Sequence, residues 1–365
     1  MAKIKQFKIF KLSMPLSHAF ITNKRKSTDM NSLIFKVILS DGTIGWGEAA
    51  ENINLTGITI QDMFNFSCSL IEQVLNKEAD LALELVSKAE YNPAKYGIET
   101  AILDAVSQSK KKSISDLLRI SKPTDKIAND TTISIMSPEK TIKCTKKLVK
   151  QGYRHLKYKL GPGENEIDRI LNLSVYIPKD VSIRIDPNQA WNRVSALKYI
   201  DLLEKSSLKI DFIEQPIEAQ DLDTLKELSQ FSHIPIVADE SVFGLEDAKK
   251  IINDKYADML NIKLIKCGGP IEAVKIAKYA QGHNVKCMSG CTSEANIAIS
   301  MATILAASLP NVVYYDLDGL DFIDNSPFNG GVVKEADKLI ISNNFGLGIK
   351  VDENSNALRL MKVLG

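Results

Sequence analysis

The sequence predicts an α/β protein in which eight parallel strands close into a TIM-type barrel, preceded by a smaller α+β unit. From about residue 127 onward, short apolar strands alternate with helical stretches, which is the pattern of repeated βα units. The predicted strand ends carry polar residues at intervals of 24 to 29 residues, about the length of one βα unit. This even spacing favours a barrel over a doubly wound sheet. The strand-end residues are Thr132, Lys157, Asp186, Glu214, Asp239, Lys263, Ser289 and Asp316.

The composition excludes several classes of protein. The 365 residues include 46 Lys and Arg against 45 Asp and Glu, and this net charge of +1 argues against a nucleic-acid binder. Hydrophobic residues make up 44% of the chain, which is typical of a soluble globular protein. The length allows either two domains or one large barrel with an appendage.

The cysteines and the apolar segments predict a cytoplasmic protein. Five cysteines are spread along the chain without a CxxC pair, so neither a disulfide framework nor a zinc cluster is indicated. Lysines interrupt the apolar positions of residues 1–16, and the apolar stretch 301–309 is too short to span a bilayer. We therefore expect a reducing compartment and no membrane partner.

The first 120 residues read as strands followed by helices. Residues 33–39 and 44–48 form two extended runs around a Ser-Asp-Gly-Thr turn, which predicts a hairpin. Between residues 60 and 118, apolar side chains recur at helical spacing. Turn residues at 121–125 indicate a domain boundary, and residues 339–341 and 349–351 again have strand character.

Three acids end consecutive predicted strands. Asp186, Glu214 and Asp239 would meet at one rim of the barrel as strands 3, 4 and 5. An all-oxygen set of this kind suits a hard cation such as Mg²⁺. The alternative is that each acid only caps the following helix, as single acids after strands commonly do. All three acids stand at the same position of the βα repeat, and this favours the metal site.

Lysines end the strands on either side of these acids. Alternation places Lys157 and Lys159 on one face of strand 2, and Asn261 and Lys263 on one face of strand 6. Strands 2 and 6 lie opposite each other in an eight-stranded ring, so two bases could flank a bound ligand. A partly desolvated lysine beside other cationic groups can have its pKa lowered towards neutrality. The alternative is that these lysines only neutralise the acids.

The order of these motifs along the chain resembles the enolase superfamily, in its muconate-lactonizing subgroup. The strings KYKLG, RIDPNQAW, DFIEQP, IVADES and NIKLIKCGG follow one another over most of the chain. The resemblance implies that Lys159 and Lys263 are the acid/base pair. It also implies that Asp186, Glu214 and Asp239 bind Mg²⁺, one ion per subunit. The lysine or histidine base with Mg²⁺ is typical of that superfamily.

The resemblance also implies a domain organisation. It predicts a (β/α)7β barrel, a modified TIM barrel, with an N-terminal α+β capping domain completed by the C-terminal tail. We expect the capping domain with its substrate-covering loops at residues 1–123 and the barrel with the metal and acid/base site at 124–331. Residues 332–365 would return to the capping domain.

The last predicted barrel strand resembles the DxD motif of dipeptide epimerases. In the stretch Tyr-Tyr-Asp-Leu-Asp-Gly, alternation puts Asp316 and Asp318 on one face. In those epimerases the two aspartates hold the α-ammonium group of the substrate, and a carboxylate pair is a good receptor for an amine. A solvated loop is the alternative.

Further substrate contacts follow from the same resemblance. Arg25, in the loop of residues 20–25, is a candidate for binding a side-chain carboxylate, although a basic loop alone is commonly solvated surface. Thr132 and Lys157 fall where the family contacts the C-terminal end of the substrate. Thr292 lies in the stretch 289–294, which lines the substrate pocket in the family. It stands where a larger apolar residue is expected in Ala-Glu epimerases of the family. The four histidines lie away from the strand ends, and Gly161-Pro162-Gly163 lacks dinucleotide-binding spacing, so neither a histidine base nor a dinucleotide is expected.

These features predict a Mg²⁺-dependent dipeptide epimerase acting on L-Ala-D/L-Glu or a similar peptide of peptidoglycan metabolism. The α-carbon of the C-terminal residue would be inverted by a 1,1-proton transfer, with Mg²⁺ and Lys157 stabilising the ene-diolate. The alternatives are an N-acylamino acid racemase, an o-succinylbenzoate synthase, a cycloisomerase, or a non-catalytic binding barrel. The expected partner is a small dipeptide, with no nucleic acid, and the expected assembly is a homo-oligomer.

Overall fold

The N-terminal unit is a small sheet packed on helices. The computed structural model describes residues 2–342 and 344–365. The predicted hairpin and the predicted helices between residues 60 and 118 are both present. A long first strand, which the sequence did not predict, pairs with the hairpin. The elements are β1 (Ile4–Ile21), β2 (Lys26–Leu39), β3 (Ile44–Ala50), α1 (Ile53–Thr56), α2 (Ile60–Val74), α3 (Ala79–Lys88), α4 (Pro93–Lys110) and α5 (Ile114–Leu118).

Helix α4 is the core of this unit and lies directly on β3. Fifteen of its eighteen residues are buried. A Cβ atom on Gly47 of β3 would lie 1.8 Å from the carbonyl oxygen of Gly97 in α4, so only glycine allows this approach. The close packing fixes the unit's sheet as a rigid support for the loops that reach the barrel.

The second unit is the predicted eight-stranded parallel barrel. Neighbouring strands pair in chain order, and Asp130 N–H donates to Tyr315 O (3.2 Å) between the first and last strands. After β4 (Lys126–Ala128), the barrel strands are β5 (Thr131–Ile133), β6 (His155–Lys159), β7 (Ser182–Asp186), β8 (Ile210–Glu214), β9 (Ile236–Ala238), β10 (Met259–Ile262), β11 (Lys286–Gly290) and β12 (Val312–Asp316). The intervening helices are α6 (Pro138–Lys150), α7 (Glu164–Leu171), α8 (Arg193–Glu204), α9 (Leu222–Phe231), α10 (Leu245–Asn253), α11 (Leu264–Cys267), α12 (Pro270–Gly282) and α13 (Asn296–Ser308).

The barrel interior has an apolar floor under a polar layer. Phe212, Val237, Met259 and Met288 form a separate buried cluster, with Tyr314 packed against it. The charged side chains at the carboxyl ends of the strands therefore lie above a layer that excludes water, as in other barrels whose interior is filled by side chains. This floor strengthens every electrostatic interaction above it.

The C-terminal tail returns to the N-terminal unit, as predicted. A 3₁₀ turn (Asp318–Phe322) and β13 (Phe328–Gly330) precede the tail, which contains β14 (Val333–Glu335), β15 (Lys338–Ile340), β16 (Ile349–Val351) and β17 (Leu358–Leu364). Strand β17 pairs with β1, which completes a sheet of order β17-β1-β2-β3. Strand β15 pairs with β4 instead, and β16 with β13. The exact domain boundaries stay a prediction.

The β1–β2 hairpin extends over the mouth of the barrel. Its tip, residues 21–26, contacts four loops that follow barrel strands. Ile21 N–H donates to Ser134 Oγ (3.2 Å), and Lys24 Nζ lies 3.2 Å from Glu218 Oε1. The tip therefore forms the roof of the space above the strand ends.

Two buried carboxylates of the N-terminal unit cap barrel helices. Glu48 accepts from Ala295 N (2.8 Å) and Ala298 N (3.1 Å) at the start of α13. Glu99 accepts from Ile271 N (2.7 Å) at the start of α12. Because a carboxyl group is favoured at a helix N-terminus, these contacts join the N-terminal unit to two helices of the barrel.

Neither disulfide bonds nor membrane-spanning helices are found among the described residues. All five cysteines are free thiols. Within residues 2–342 and 344–365, no helix combines the length and the apolar character needed to cross a membrane.

Candidate active site

The predicted site residues meet at one cavity of about 330 Å³ at the carboxyl ends of the barrel strands. Lys157, Asp186 and Glu214 lie beneath it, fully buried. The hairpin tip covers it, and Phe20, Thr22 and Lys24 add to the wall. Eight of the eleven predicted residues line the cavity: Arg25, Thr132, Lys159, Asp239, Lys263, Thr292, Asp316 and Asp318.

Lys157 is the centre of the buried charge network. Its Nζ lies 2.9 Å from Asp186 Oδ2, 2.6 Å from Glu214 Oε2 and 2.7 Å from Asp316 Oδ2. Burial opposes its charged form, but these carboxylates outweigh burial and raise the pKa of Lys157 well above its ordinary value. The sequence predicted Lys157 as a substrate contact, and the structure places it one layer below the cavity wall.

The two predicted acid/base lysines enter the cavity from opposite sides of the ring. Lys159 Nζ donates to Asp186 Oδ2 at 2.5 Å, and Lys263 Nζ donates to Asp239 Oδ2 at 2.6 Å. Their strands, β6 and β10, are four positions apart in the barrel order. Both ammonium groups therefore border the same space while each is held by one predicted metal ligand.

A glycine makes room for Lys263. A Cβ atom on Gly290 of β11 would lie 2.7 Å from both Lys263 Cε and Asn261 Oδ1. Any larger residue would displace the lysine stem or the amide. Asn261 Nδ2 in turn donates to Glu214 Oε1 (2.8 Å), so the strand carrying the lysine also orients one of the acids.

The ionisation of the three predicted metal ligands follows their lysine contacts. Burial raises the pKa of each carboxyl, but Lys157, Lys159 and Lys263 overcome it at Asp186, whose pKa is lowered. Lys263 and Lys266 likewise lower the pKa of Asp239. For Glu214, burial and the nearby Asp186 prevail and raise its pKa to about 6.

The pKa of Lys263 differs from the sequence prediction. Burial alone would lower it, yet Asp239 and Glu214 outweigh burial and raise it above the ordinary value. Strand alternation places cationic groups near Lys263, but the direct contact with Asp239 has the larger effect on its pKa. Lys263 can become a base only when another positive charge takes up the carboxylates that now stabilise its ammonium form.

The donor set has the chemistry of a divalent-cation site, although its carboxylate oxygens do not all lie within 4.8 Å of one another in the described structure. Asp186, Glu214 and Asp239 supply carboxylate oxygens from three adjacent strand ends, the ligand type that Mg²⁺ prefers. Glu214 Oε2 is buried and pairs with Lys157 Nζ at 2.6 Å, but the contact lacks hydrogen-bond geometry among the described residues. This carboxylate oxygen therefore keeps a lone pair that a cation could use.

A second group of carboxylates surrounds the end of β12. Oxygens of Asp130, Asp316 and Asp318 lie within 4.8 Å of one another, close enough for a cation. Lys157 already contacts Asp316, and Arg184 Nη1 lies 2.6 Å from Asp130 Oδ2. These two side chains partly neutralise the group, and the carboxyls of Asp316 and Asp318 that face the cavity could also receive an organic ammonium ion.

The two aspartates of the DxD motif differ in ionisation. Lys157, Lys159 and Lys263 overcome the effect of burial at Asp316 and lower its pKa to about 2. Burial and the negative charge of Asp316 raise the pKa of Asp318 to about 7. Asp318 Oδ2 also accepts from Thr132 N (2.7 Å), which fixes the carboxyl towards the cavity.

Arg25 brings a partly buried positive charge to the roof of the cavity. Its Nη2 donates to Ser293 Oγ (3.2 Å), and its guanidinium lies 5.5 Å from the Phe20 ring centroid. Burial lowers its pKa. In the part of the chain that the structure describes, no carboxylate forms a salt bridge with Arg25, so its charge is available to a ligand.

Thr292 lies in the cavity wall next to Ser293. Its N–H donates to Glu294 Oε2 (3.1 Å), and its hydroxyl oxygen is buried without a hydrogen-bond partner among the described residues. Thr132 lies on the other wall, where its backbone contacts Asp318. The predicted contact of Thr132 with the carboxyl end of a substrate stays a prediction.

Sequence reasoning missed several residues of the network. Asp130 lies two positions before Thr132, so strand alternation could have placed both on one face. Lys266 Nζ donates to Asp239 Oδ1 (2.6 Å) and to Asn261 O (3.0 Å), and it lies one helical turn after Lys263. Arg184 precedes Asp186 by two positions in the quoted RIDPNQAW string.

A family model described as enolase C-terminal domain-like matches residues 140–355. This match covers more than half of the chain, and the barrel with its strand-end carboxylates and lysines agrees with it. The chain belongs to the enolase superfamily.

Relatives within this family are named epimerases and racemases. The L-Ala-D/L-Glu epimerase of Francisella tularensis subsp. novicida (strain U112) is 32% identical over 351 residues, covering 94% of this chain and 98% of that protein. A substrate-liganded complex of the L-Ala-D/L-Glu epimerase from Bacillus subtilis has a TM-score of 0.91 at 30% identity, covering 95% of this chain and 98% of that chain. Dipeptide epimerase from Enterococcus faecalis V583, complexed with Mg and L-Leu-L-Tyr, has a TM-score of 0.90 at 30% identity, with coverages of 95% and 99%. The chain is an isomerase of the class that acts on amino acid derivatives.

Proposed function

We propose that the protein is a Mg²⁺-dependent dipeptide epimerase that inverts the α-carbon of the second residue of its substrate. The observation that carries the proposal is the pair Lys159 and Lys263, which border one cavity from opposite barrel strands. Inversion by proton transfer needs a base on one face of the carbon and an acid on the other. The reactions named for the relatives support the same assignment.

In this reaction one lysine removes the α-proton and the other returns a proton to the opposite face. A Mg²⁺ ion held by Asp186, Glu214 and Asp239, one per chain, would supply positive charge to stabilise the carbanion next to the substrate carboxylate. Lys157 adds a further positive charge from beneath the cavity. The apolar floor keeps water from screening these charges.

The DxD motif supports a substrate with a free amino group. Asp316 and Asp318 line the cavity, and a bound ammonium would offset the repulsion that raises the pKa of Asp318. An N-acylated amino acid has no ammonium to offset it. The racemase, synthase and cycloisomerase alternatives therefore leave this carboxylate pair without an α-ammonium group to bind.

Replacing Asp318 with asparagine tests this assignment. The amide keeps an acceptor for Thr132 N and loses the charge, so we expect kcat/KM for free dipeptides to fall about 10- to 100-fold. Turnover of N-acetylated dipeptides should change less than about threefold. Equal losses for both substrate classes, measured by chiral chromatography, would assign the site to N-acyl substrates.

Arg25 supports an acidic side chain on the second residue. Its charge has Ser293 and Phe20 as neighbours, and in the described structure no carboxylate neutralises it. A partly buried guanidinium of this kind pairs strongly with a carboxylate. L-Ala-D/L-Glu is therefore the proposed type of dipeptide, with the first side chain facing the small wall residues Cys291 and Thr292.

Replacing Ser293 with aspartate should change this preference. The new carboxylate would lie beside Arg25 and neutralise it within the protein, so kcat/KM for L-Ala-L-Glu should fall at least about tenfold. Turnover of L-Ala-L-Met, which has a similar shape without the charge, should change little. Ser293→Ala is the control, because it removes one hydrogen bond and adds no charge. If the ratio of kcat/KM for L-Ala-L-Glu to that for L-Ala-L-Met is unchanged in Ser293→Asp, Arg25 does not bind the side chain of the second residue.

A substrate screen tests the reaction class itself. The protein with Mg²⁺ is incubated in D₂O with L,L-dipeptides and, separately, with N-succinyl amino acids, and deuterium uptake is read by mass spectrometry. We expect uptake of one deuterium in dipeptides with an acidic second residue. Uptake only in N-succinyl amino acids would replace the proposal with the racemase alternative, and uptake in neither class would reject both.

A further inference from the structure

Left-handed backbone conformations follow two of the strands that carry the predicted metal ligands. Asn188 and Gln189 follow β7 with φ values of 46° and 65°, and Gln215 follows Glu214 with a φ of 33°. This region is unfavourable for residues other than glycine and persists where surrounding contacts hold it. The side chains of the two glutamines provide such contacts.

The amide of Gln215 joins the end of β8 to the end of β9. Its Oε1 accepts from Asp239 N (2.9 Å) and Ser241 N (3.3 Å), and the Ser241 hydroxyl lies 3.1 Å from it. Its Nε2 donates to Ile217 O (3.2 Å). The side chain is fully buried. Each polar atom of the amide therefore has a partner, and two of these partners belong to the loop that starts at Asp239.

Gln189 extends the same connection to β7. Its backbone N–H donates to Gln215 O (2.9 Å), and its Oε1 accepts from Ala219 N (3.0 Å). The Ser241 hydroxyl also lies 2.8 Å from Ala219 O. Two glutamine amides thus join the loops after three consecutive strands, and these strands carry Asp186, Glu214 and Asp239.

We propose that Gln215 is a positioning residue that sets the distance between Asp239 and Glu214, and thereby the geometry of the metal site. The proposal rests on the Mg²⁺ site of the proposed function. Gln215 is covalently next to Glu214 and one hydrogen bond from the backbone of Asp239. Its amide therefore joins the backbones that carry these two ligands, whereas Lys263 contacts their carboxylates. Mg²⁺ requires near-ideal octahedral geometry, which makes its affinity sensitive to such a displacement.

The test compares Gln215→Met with Gln215→Glu by calorimetric titration of Mg²⁺ in the absence of dipeptide. Methionine has a similar size and accepts no hydrogen bond from Asp239 N, so the dissociation constant should rise at least about tenfold. Glutamate keeps an acceptor for Asp239 N and Ser241 N and loses only the donor to Ile217 O, so its constant should rise less than that of the methionine variant. Gln151→Met, at an exposed position after α6, is the matched control.

Gln215→Gly separates the amide from the backbone conformation. Glycine relieves the left-handed strain but removes the acceptor, so the proposal predicts weakened Mg²⁺ binding despite the relief. Wild-type Mg²⁺ affinity in Gln215→Gly or Gln215→Met would overturn the proposal. If Gln215→Met does not fold, as judged by circular dichroism, Ser241→Ala replaces it and should weaken Mg²⁺ binding about threefold or more. Unchanged affinity in that variant would overturn the proposal as well.

The same titration separates this inference from the proposed function. If the wild-type protein binds Mg²⁺ but exchanges no α-proton, the proposed epimerase activity is rejected. The role of Gln215 is then still tested by the Mg²⁺ affinities of the variants. A wild-type protein that exchanges α-protons while Gln215→Met keeps full Mg²⁺ affinity would reject only the positioning role. Absence of saturable Mg²⁺ binding by the wild-type protein would overturn the positioning role directly.

Discussion

Replacing Asp186 or Asp239 with asparagine, or Glu214 with glutamine, is expected to lower kcat/KM by roughly a thousandfold or more. Each change removes a charged oxygen ligand from the proposed Mg²⁺ site, and electrostatic stabilisation of this kind supplies a large part of the rate enhancement of an enzyme. Asp186→Asn and Asp239→Asn also leave Lys159 and Lys266 without a carboxylate partner, so thermal stability should fall. After Glu214→Gln, Lys157 keeps Asp186 and Asp316, so the stability loss should be smaller. The measurements are initial rates over a Mg²⁺ series and calorimetric Mg²⁺ affinities.

The control for these variants is Asp221→Asn. Asp221 accepts from Thr224 N at the start of α9, outside the charge network, so the variant should keep its activity. A variant that is still folded should have a lower Mg²⁺ affinity as well as a lower rate. The loss of rate can then be attributed to the metal site and not to unfolding. Full turnover by any of the three site variants in the presence of a chelator would contradict the metal assignment.

The two lysine variants are expected to fail in complementary ways. Lys159→Ala and Lys263→Ala should each lower net epimerisation by about 10²- to 10⁴-fold, the range of one general acid or base. The remaining lysine can still remove and return a proton on its own face. Each variant should therefore exchange the α-hydrogen of one epimer with D₂O, and the two variants should choose opposite epimers.

The outcome is read by proton NMR of the two epimers, each incubated separately with each variant. Lys209→Ala, at an exposed position before β8, is the control and should behave as the wild type. Loss of exchange for both epimers would indicate that each lysine also contributes charge to the intermediate. Near-wild-type epimerisation by either site variant would contradict the two-base mechanism.

The barrel could be predicted because its repeat is regular. Each strand end carries a polar residue after a short apolar run, and the interval matches one βα unit. Strand β1 could not be predicted in the same way. Lysines interrupt its apolar run, and a bulge between Ile9 and Phe10 shifts its pairing with β17, so two consecutive side chains are buried. The two-residue alternation that identifies a strand is lost at that point.

The site could be predicted where strand alternation and strand order decide the position of a side chain. Lys159, Lys263 and the DxD aspartates all lie at the cavity for this reason. The partners of these residues could not be predicted, since Lys266 and Gln215 act through contacts between different loops. The depth of a side chain in the barrel could not be predicted either. Strand alternation placed Lys157 on the inner face of its strand but did not show that it lies below the cavity.

The most direct test of the account follows the α-protons of one dipeptide. L-Ala-L-Glu is incubated with the wild-type protein and Mg²⁺ in D₂O, and the two α-proton signals are recorded by NMR over time. The account predicts loss of the glutamate α-proton only, with formation of L-Ala-D-Glu that carries one deuterium at that carbon. Retention of both α-protons across the screened dipeptides, or exchange at the first residue, would contradict it.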